Sequence, residues 1–341
     1  MNHRILPAIL VAAGLLAADP PVPTPVMTPE TAQPLRTVRG TRVARVAGAA
    51  PEWDAQVRQS ASWDSNALLD SDPDTVTSAT AVYTTDATLG WRPVADERDF
   101  LKASLNVGYD RRPQLEDLDT SRLGLALIYA HQGESLTSGA NLGLTRHWLD
   151  GKGAAAELRG GYSLVKLRAD SADLASIELG AVHFDSTLDR PDRLQTLGSL
   201  GSADDRSGVL TALGYRHWWV LPQGGRVEAG VRAGRYFAQS DLETYDLLQP
   251  FASFRLRPTG WDLQARAGLE GRAYAGAAPG STDERSDTAS LAASADRRLG
   301  HGLWLGAFAA LAARDSSLDG RDYQRWQVGL RLIWAYAPVE E

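Results

Sequence analysis

The residues in this sequence best suited to chemistry are arginines that recur at even spacings in its second half. Pairs such as Arg226 and Arg232 lie a multiple of two apart, so in a β-strand they share one face. A guanidinium stays charged and presents a planar set of donors that suits carboxylates and phosphates. Over seven alternating segments this face carries ten arginines and four acids: Arg216, Arg226, Arg232, Arg255, Arg257, Arg266, Arg272, Arg314, Arg325 and Arg331, with Glu228, Asp262, Glu270 and Asp296.

The corresponding face in the first half is more balanced. It carries Arg58, Arg92, Lys102, Arg122 and Arg159 beside Asp54, Asp64, Asp86, Asp110, Glu157 and Glu178. If both faces line one lumen, the arginine-rich wall and the more balanced wall facing it create an electric field across the lumen. Rings of basic side chains in a lumen favour anions. We therefore expect Arg216, Arg226, Arg232, Arg255, Arg266, Arg272, Arg331, Glu228 and Glu270 to line a pore for small polar or anionic solutes. The alternative is that these charges pair with one another inside a narrow, closed interior.

Histidine-based catalysis has little support. The chain has six histidines, and His147 is the one that could share a height inside the structure with Asp64 or Asp110 as an acid/base pair. No sequence motif links these three residues, and the sequence has no cysteine, no metal-spaced cluster and no glycine-rich phosphate loop. We expect no catalytic residue, no cofactor and no metal. The net charge of −7 argues against a nucleic-acid partner.

The charged residues are positioned by strands, of which segment 326–336 is the clearest. One face carries Trp326, Val328, Leu330, Leu332, Trp334 and Tyr336. The other carries Gln327, Gly329, Arg331, Ile333 and Ala335. This period of two predicts a β-strand with one side toward lipid and the other toward a wet lumen.

About fourteen such segments follow one another from residue 53 onward. They are 53–63, 81–92, 100–110, 122–131, 140–148, 154–167, 174–184, 208–221, 226–237, 247–257, 261–274, 288–298, 303–314 and 325–336. Even-numbered connections are short, whereas odd ones include the long, Asp-rich stretches 185–207 and 276–287. Pro250 lacks an N–H, so the tenth strand should begin after it or carry a bulge.

This organisation predicts an all-β fold, a transmembrane antiparallel up-and-down β-barrel of about 14 strands with both termini periplasmic. Twelve or sixteen strands are the alternatives, and a soluble β-sandwich also alternates. Aromatic residues near strand ends are expected to form interfacial girdles: Trp63, Tyr83, Trp91, Tyr109, Trp148, Trp219, Trp261, Trp304 and Trp334.

The last strand resembles the C-terminal targeting signal of Gram-negative outer-membrane β-barrels. The matching residues are Gln327, Gly329, Leu332 and Trp334, and a short tail follows them. The resemblance implies a porin-like barrel in the cell outer membrane that is recognised by the outer-membrane insertion machinery. Its surroundings would be outer-membrane lipids and lipopolysaccharide.

The N-terminus has a different character. Residues 1–18 read as a cleaved signal peptide, with a short apolar run after Arg4 and small residues at its end. Residues 19–51 form a Pro-rich and basic periplasmic arm that we expect to be disordered, and residues 52–341 form the barrel. The arm is a solvated spacer, a segment that docks on a periplasmic export partner, or a segment that enters the lumen.

A second resemblance lies in the first hairpin, at Trp63, Asp64, Ser65 and Asn66. This run is similar to the start of the fourteen-strand barrel of surface lipoprotein assembly modifiers and of barrels associated with exopolysaccharide export. The sequence therefore leaves three functions open. They are a channel for passive passage of small polar or anionic solutes, the exit or assembly barrel of an export system, and a rim-active outer-membrane hydrolase.

Overall fold

All fourteen predicted segments form strands in a computed structural model of the chain. The structure describes residues 52–66, 79–95, 98–115, 119–133, 135–168, 170–185, 206–221, 225–276, 285–317 and 322–336. The strands are β1 Glu52–Asp64, β2 Thr80–Ala95, β3 Asp99–Arg111, β4 Thr120–Gln132, β5 Thr137–Leu149, β6 Lys152–Leu167, β7 Ser171–Phe184, β8 Gly208–Val220, β9 Arg226–Ala238, β10 Tyr245–Leu256, β11 Trp261–Tyr274, β12 Arg285–Gly300, β13 Leu303–Ser316 and β14 Tyr323–Tyr336. A short 3₁₀ helix, Asp241–Glu243, precedes β10.

The strands close into one antiparallel up-and-down barrel. Each strand pairs with its neighbours in sequence, and β1 pairs with β14 to complete the ring. The closing register runs from Ala55 opposite Tyr336 to Asp64 opposite Gln327. The prediction of a fourteen-strand barrel is confirmed, and the alternatives of twelve strands, sixteen strands and a β-sandwich are wrong.

The connections divide the barrel into two ends. We call the end where β1 starts and β14 finishes the terminal end, and the opposite one the loop end. At the terminal end β12 and β13 are joined through His301 and Gly302, both with positive φ, as a type I′ turn requires. At the loop end Asp150 and Gly151 join β5 to β6 in the same way. That the terminal end faces the periplasm stays a prediction.

The exterior of the barrel is apolar. Leucines project outward at mid-depth with large exposed fractions, among them Leu125 at 56%, Leu213 at 63% and Leu330 at 63%. Exposed aromatics lie toward both ends, with Trp53, Trp91, Trp219, Trp261 and Trp334 near the terminal end and Trp63, Tyr83, Tyr109, Phe237 and Trp326 near the loop end. A soluble protein would bury most of this surface, whereas lipid would cover it.

One predicted girdle residue is misplaced. Trp304 pairs with Ile333 in the ladder, and both line an interior cavity. Alternation along β13 places Trp304 on the same face as the inward Arg314, so the outward positions belong to Leu303 and Leu305. The expectation that Trp304 belongs to a girdle is therefore wrong.

Pro250 lies inside β10 and neither starts the strand nor creates a bulge. It pairs with Val231 of β9 in an unbroken register. On the β11 side the pairing passes from Leu248 opposite Gly271 to Phe251 opposite Gly268, with no shift in register. The ladder is thus locally interrupted where the N–H is missing, and the predicted bulge is absent from this described strand.

The signal peptide and the Pro-rich arm, predicted for residues 1–18 and 19–51, lie outside the described residues. Within the part of the chain that the structure describes, no helix has the length and hydropathy needed to cross a membrane. The strands account for the predicted barrel from Glu52 to Tyr336.

Candidate functional site

The interior of the barrel carries the predicted charged residues. Strand alternation and pairing place every predicted lumen residue on the inner face, except Arg257, which follows β10 and is exposed. Acids of the first half meet arginines of the second: Glu178 pairs with Arg232, and Asp64 pairs with Arg325. The unlike walls are therefore partly neutralised by direct contacts.

A cavity of about 490 Å³ opens in the part of the interior nearer the terminal end, and we call it the vestibule. Its lining includes residues of β1 and of β9, which lie on distant parts of the ring in the strand order. Five arginines line it with two aspartates: Arg58, Arg226, Arg255, Arg266 and Arg331, with Asp262 and Asp296. The vestibule thus has an excess of positive charge.

Three of the vestibule arginines have acid partners. Arg331 donates to Asp296 from Nε at 2.7 Å and from a terminal nitrogen at 2.5 Å, in bidentate geometry. Arg255 holds Asp262 in the same way, at 2.9 and 2.5 Å. Arg226 donates to a carboxylate oxygen of the buried Glu228 at 3.1 Å. These groups are oriented by charge-assisted hydrogen bonds.

The other two arginines, Arg58 and Arg266, have no ion-pair partner among the described residues. The Nε of Arg58 is buried and makes no hydrogen bond. The guanidinium of Arg266 lies over the ring of Phe251, 4.7 Å from its centroid, and the residue is exposed to the vestibule. A cation–π contact orients a guanidinium and leaves its donors free. These two side chains are the available cations of the site.

Small inward side chains make room for the vestibule. On β12 these are Ala292 and Ser294, and on β13 the inner face nearer the terminal end includes Gly306 and the ring of Phe308. Gly306 has no space for a side chain, because an added Cβ would lie 1.9 Å from an oxygen of Asp296. Sequence reasoning missed this wall. The sequence signal for this wall was the run of alanines and serines in 288–296. Because small residues occupy both alternating faces of this run, alternation alone does not show which face points inward.

Toward the loop end the inner face carries buried, ion-paired side chains. Arg325 donates to both oxygens of Asp64, from Nε at 2.9 and 3.0 Å, and Asp64 is completely buried. Arg232 lies 3.2 Å from Glu178 and donates to Gln249 at 2.8 Å. Arg272 donates to Glu270 at 2.6 Å. At these positions the interior charges pair with one another, as the alternative to an open pore predicted. The predicted pore-lining residues Arg232, Arg272 and Glu270 do not line the vestibule.

The inner face of β6, β7 and β8 carries further buried groups. Val165, Ala172, Leu174 and Trp218 form a buried apolar cluster on the inner side of β6, β7 and β8. Arg216 is buried beside it, lying 3.4 Å from Glu228. In the connection after β3, burial lowers the pKa of the Arg112 guanidinium, and the neighbouring carboxylate of Asp110 opposes this shift. The vestibule, by contrast, is lined by residues of β9 to β14 and β1.

The residues from Trp63 to Asn66 bond to β14 at the pairing of β1 with β14, which we call the closing seam of the barrel. Besides the Asp64–Arg325 pair, the amide of Asn66 donates to the carbonyl of Gln324 at 3.0 Å. Two hydrogen bonds join Ser65 and Trp326. The Ser65 N–H donates to the Trp326 carbonyl at 2.9 Å, and the Trp326 N–H donates to the Ser65 hydroxyl at 2.8 Å. The sequence indicated these residues through a resemblance, and their physical role is to join β1 to β14.

The predicted insertion-signal residues occupy both faces of β14. Gln327 points inward and donates to the Ser62 hydroxyl at 2.8 Å. Gly329 approaches β1 closely, because an added Cβ would lie 2.6 Å from the carbonyl oxygen of Ala61. Leu332 and Trp334 point outward and are 40% and 44% exposed. Their recognition by an insertion machinery stays a prediction.

The acid/base pair considered for His147 does not form. Its Nε2 lies 3.4 Å from Glu157, which also pairs with Arg159 at 2.5 Å. Asp64 is bound by Arg325, and Asp110 accepts a bond from the Thr120 hydroxyl. Among the described residues, no group of three or more His, Cys, Asp or Glu side chains could hold a metal ion.

Comparisons with known proteins give similarity in architecture at low identity. Neither a protein-family model nor a curated protein matches the chain. Among solved structures, a loop-deletion mutant of OmpT, an outer membrane protein of Vibrio cholerae, is 8% identical over 84% of this chain and 99% of its own, with a TM-score of 0.49. OccAB4 of Acinetobacter baumannii is 10% identical over 84% and 99%, with a TM-score of 0.42. An outer membrane channel from Pseudomonas putida F1 is 12% identical over 87% and 99%, also at 0.42. The solved structures to which this chain is similar are thus Gram-negative outer-membrane β-barrels.

Proposed function

We propose that this chain is an outer-membrane channel that admits small anionic solutes through the vestibule. The observation that carries the proposal is that two arginines on the wall of one cavity, Arg58 and Arg266, have no acid partner within the described part of the chain. A fixed cation that no carboxylate neutralises attracts anions into a low-dielectric cleft. On the same wall Arg255 and Arg331 neutralise Asp262 and Asp296, and Arg226 is paired with Glu228.

The proposed location follows from the surface of the barrel. A closed ring leaves no unpaired strand edge, so its backbone is satisfied within hydrocarbon. The exposed leucines and the aromatics toward both ends match the apolar band and girdles of transmembrane barrels. Together with the apolar N-terminal run, this supports export to the outer membrane.

The size of the site supports a small solute. A volume of about 490 Å³ lies within the range of small-molecule pockets, which span about 300–1,000 Å³. The ring of Phe308 and the indole of Trp304 add apolar surface beside the guanidinium groups. The proposed solutes are therefore compact carboxylates or phosphates, which a planar guanidinium binds through two parallel hydrogen bonds.

A second function is favoured by the buried charges toward the loop end. Asp64, Arg325, Arg232 and Glu178 have less than a tenth of their surface exposed, so water does not solvate these pairs as it would in an open lumen. A barrel that opens only when a partner separates its ion pairs suits the exit of an export system. Under this alternative, the vestibule would be the docking site for an acidic segment of that partner.

The test is ion selectivity in planar lipid bilayers under a salt gradient. For the wild-type protein we expect a reversal potential that shows anion preference, and for Arg58→Glu combined with Arg266→Glu we expect cation preference. Arg297→Glu is the matched control, because Arg297 lies near the terminal end but outside the barrel, over Trp261. A wild-type channel with cation preference, or a double variant with unchanged selectivity, would refute the channel proposal. A folded protein without conductance would favour the export alternative.

A further inference from the structure

The outer surface of the barrel carries a polar pair near mid-depth, formed by Gln59 of β1 and Thr85 of β2. The two residues are direct cross-strand partners and both are exposed. Gln59 lies between the outward tryptophans at the two ends of β1, Trp53 and Trp63. Among the described residues, neither the amide of Gln59 nor the hydroxyl of Thr85 has a hydrogen-bond partner.

Contact with lipid alone would be energetically unfavourable for this polar pair. Hydrocarbon offers no donor and no acceptor, so an amide with two donors and one acceptor is left unsatisfied there. The neighbouring outward residues Val57, Ala87 and Leu89 follow the usual apolar pattern. Membrane-embedded polar side chains commonly bond to another protein segment.

A groove lies next to this pair on the same outer face. Its volume is about 520 Å³, and its lining includes the small outward residues Ala61, Ala81 and Ala307, together with Ser62, Gly329 and Phe308. Bulky outward residues border it: Trp63, Tyr83, Val328 and Leu330. Ala61 and Trp63 are the next outward positions after Gln59, so the polar pair and the groove form one continuous surface across β2, β1, β14 and β13.

We propose that this surface is an interface with a second copy of the same chain in the membrane. In a two-fold interface each copy presents the same patch, so the patch must be complementary to itself. An amide meets this condition because its N–H group on one copy can donate to the carbonyl oxygen on the other. The groove of each copy then receives a bulky outward side chain of its partner, and packing of small against large side chains adds dispersion contacts.

The absence of cysteine from the chain makes the experiment direct. Gln59→Cys is expressed in the outer membrane and oxidised with copper phenanthroline in intact vesicles, without detergent. We expect a disulfide-linked homodimer on a non-reducing gel, at about twice the monomer mass. Leu213→Cys is the matched control, because Leu213 is 63% exposed on β8, seven strands from β1 in either direction around the ring. It should remain a monomer.

A second measurement separates a specific interface from random collision. Gln59→Leu should keep its heat-dependent gel mobility, which reports a folded barrel, and shift from dimer to monomer by light scattering in mild detergent. Equal cross-linking at positions 59 and 213 would overturn the proposal. It would also be overturned if a folded Gln59→Cys protein gave no cross-link, as expected where lipid alone covers the face, or a cross-link to a protein of another mass.

Discussion

The pair of Asp64 and Arg325 should dominate the stability of the closing seam. Asp64 is fully buried and accepts three contacts from Arg325 at 2.9, 3.0 and 2.5 Å. Asp64→Asn keeps the size of the side chain and removes its charge, so Arg325 stays buried without a counter-ion. The positive charge of Arg112 lies near enough to interact with Arg325, which adds repulsion once the carboxylate is gone.

Breaking one half of a buried ion pair costs roughly 3–5 kcal/mol, whereas replacing both halves with apolar groups of similar size is often close to neutral. We therefore expect Asp64→Asn to lower the free energy of unfolding by about 3–5 kcal/mol. The double variant Asp64→Leu with Arg325→Met should lose less, because neither charge remains buried. The difference between these variants isolates the cost of the uncompensated guanidinium.

The assay is urea unfolding in lipid vesicles, followed by tryptophan fluorescence and by heat-dependent gel mobility. Asp262→Asn is the matched control, because Asp262 is also held by an arginine but lies on the wall of the vestibule, where water can solvate the freed charge. It should lose about 1 kcal/mol or less, as expected for a solvated pair. If Asp64→Asn unfolds within 1 kcal/mol of the wild type, the reasoning about the seam is wrong.

Further predictions concern β14. Trp334→Asp should stop assembly, because the insertion machinery would no longer recognise the last strand. The loss of burial alone is too small, since a charge on the lipid face costs about 2–4 kcal/mol at mid-depth and less at the interface. A normal amount of folded protein in outer-membrane fractions would contradict this expectation. Gly329→Val should prevent β14 from pairing with β1, because the new Cβ would lie 2.6 Å from the backbone oxygen of Ala61. Gly271→Val is the control in the same folding assay, because its Cβ would meet only a side-chain oxygen, at 3.2 Å. Arg331→Ala should destabilise the barrel more than Arg266→Ala, since only Arg331 leaves an acid, Asp296, without its partner; equal midpoints of urea unfolding would refute this.

The strands were predictable because every one of them alternates between lipid-facing and interior-facing residues. Alternation assigned Arg58, Arg232 and Arg331 to the inner face, and the structure places them there. It also assigned the fourteen strands, since Gly and Pro at the short connections mark where each alternation ends. The boundaries differ by up to three residues, because strand ends depend on pairing with neighbours.

The pairing of charges was not predictable, because alternation fixes a residue's face and leaves its height in the barrel undetermined. Arg331 meets Asp296 across β13, and Arg232 meets Glu178 across β8. Those contacts depend on the stagger between strands, which accumulates around the ring. The vestibule itself depends on small inward residues such as Ala292 and Gly306, whose effect is to leave space. Trp304 was misassigned because a tryptophan near a strand end is typical of a girdle as well as of a cavity wall.

Accumulation of anions in the vestibule can be measured whether or not the barrel conducts. Trp304 lies on the vestibule wall, so its fluorescence, obtained as the difference between the wild type and Trp304→Phe, reports which ions reach that wall. The quenching by each ion is divided by its quenching of free N-acetyltryptophanamide, because iodide quenches indole more efficiently than caesium. We predict a higher normalised value for iodide than for caesium, and that Arg58→Glu with Arg266→Glu reverses the order. Equal normalised values, or a higher value for caesium in the wild type, would contradict an anion-concentrating vestibule.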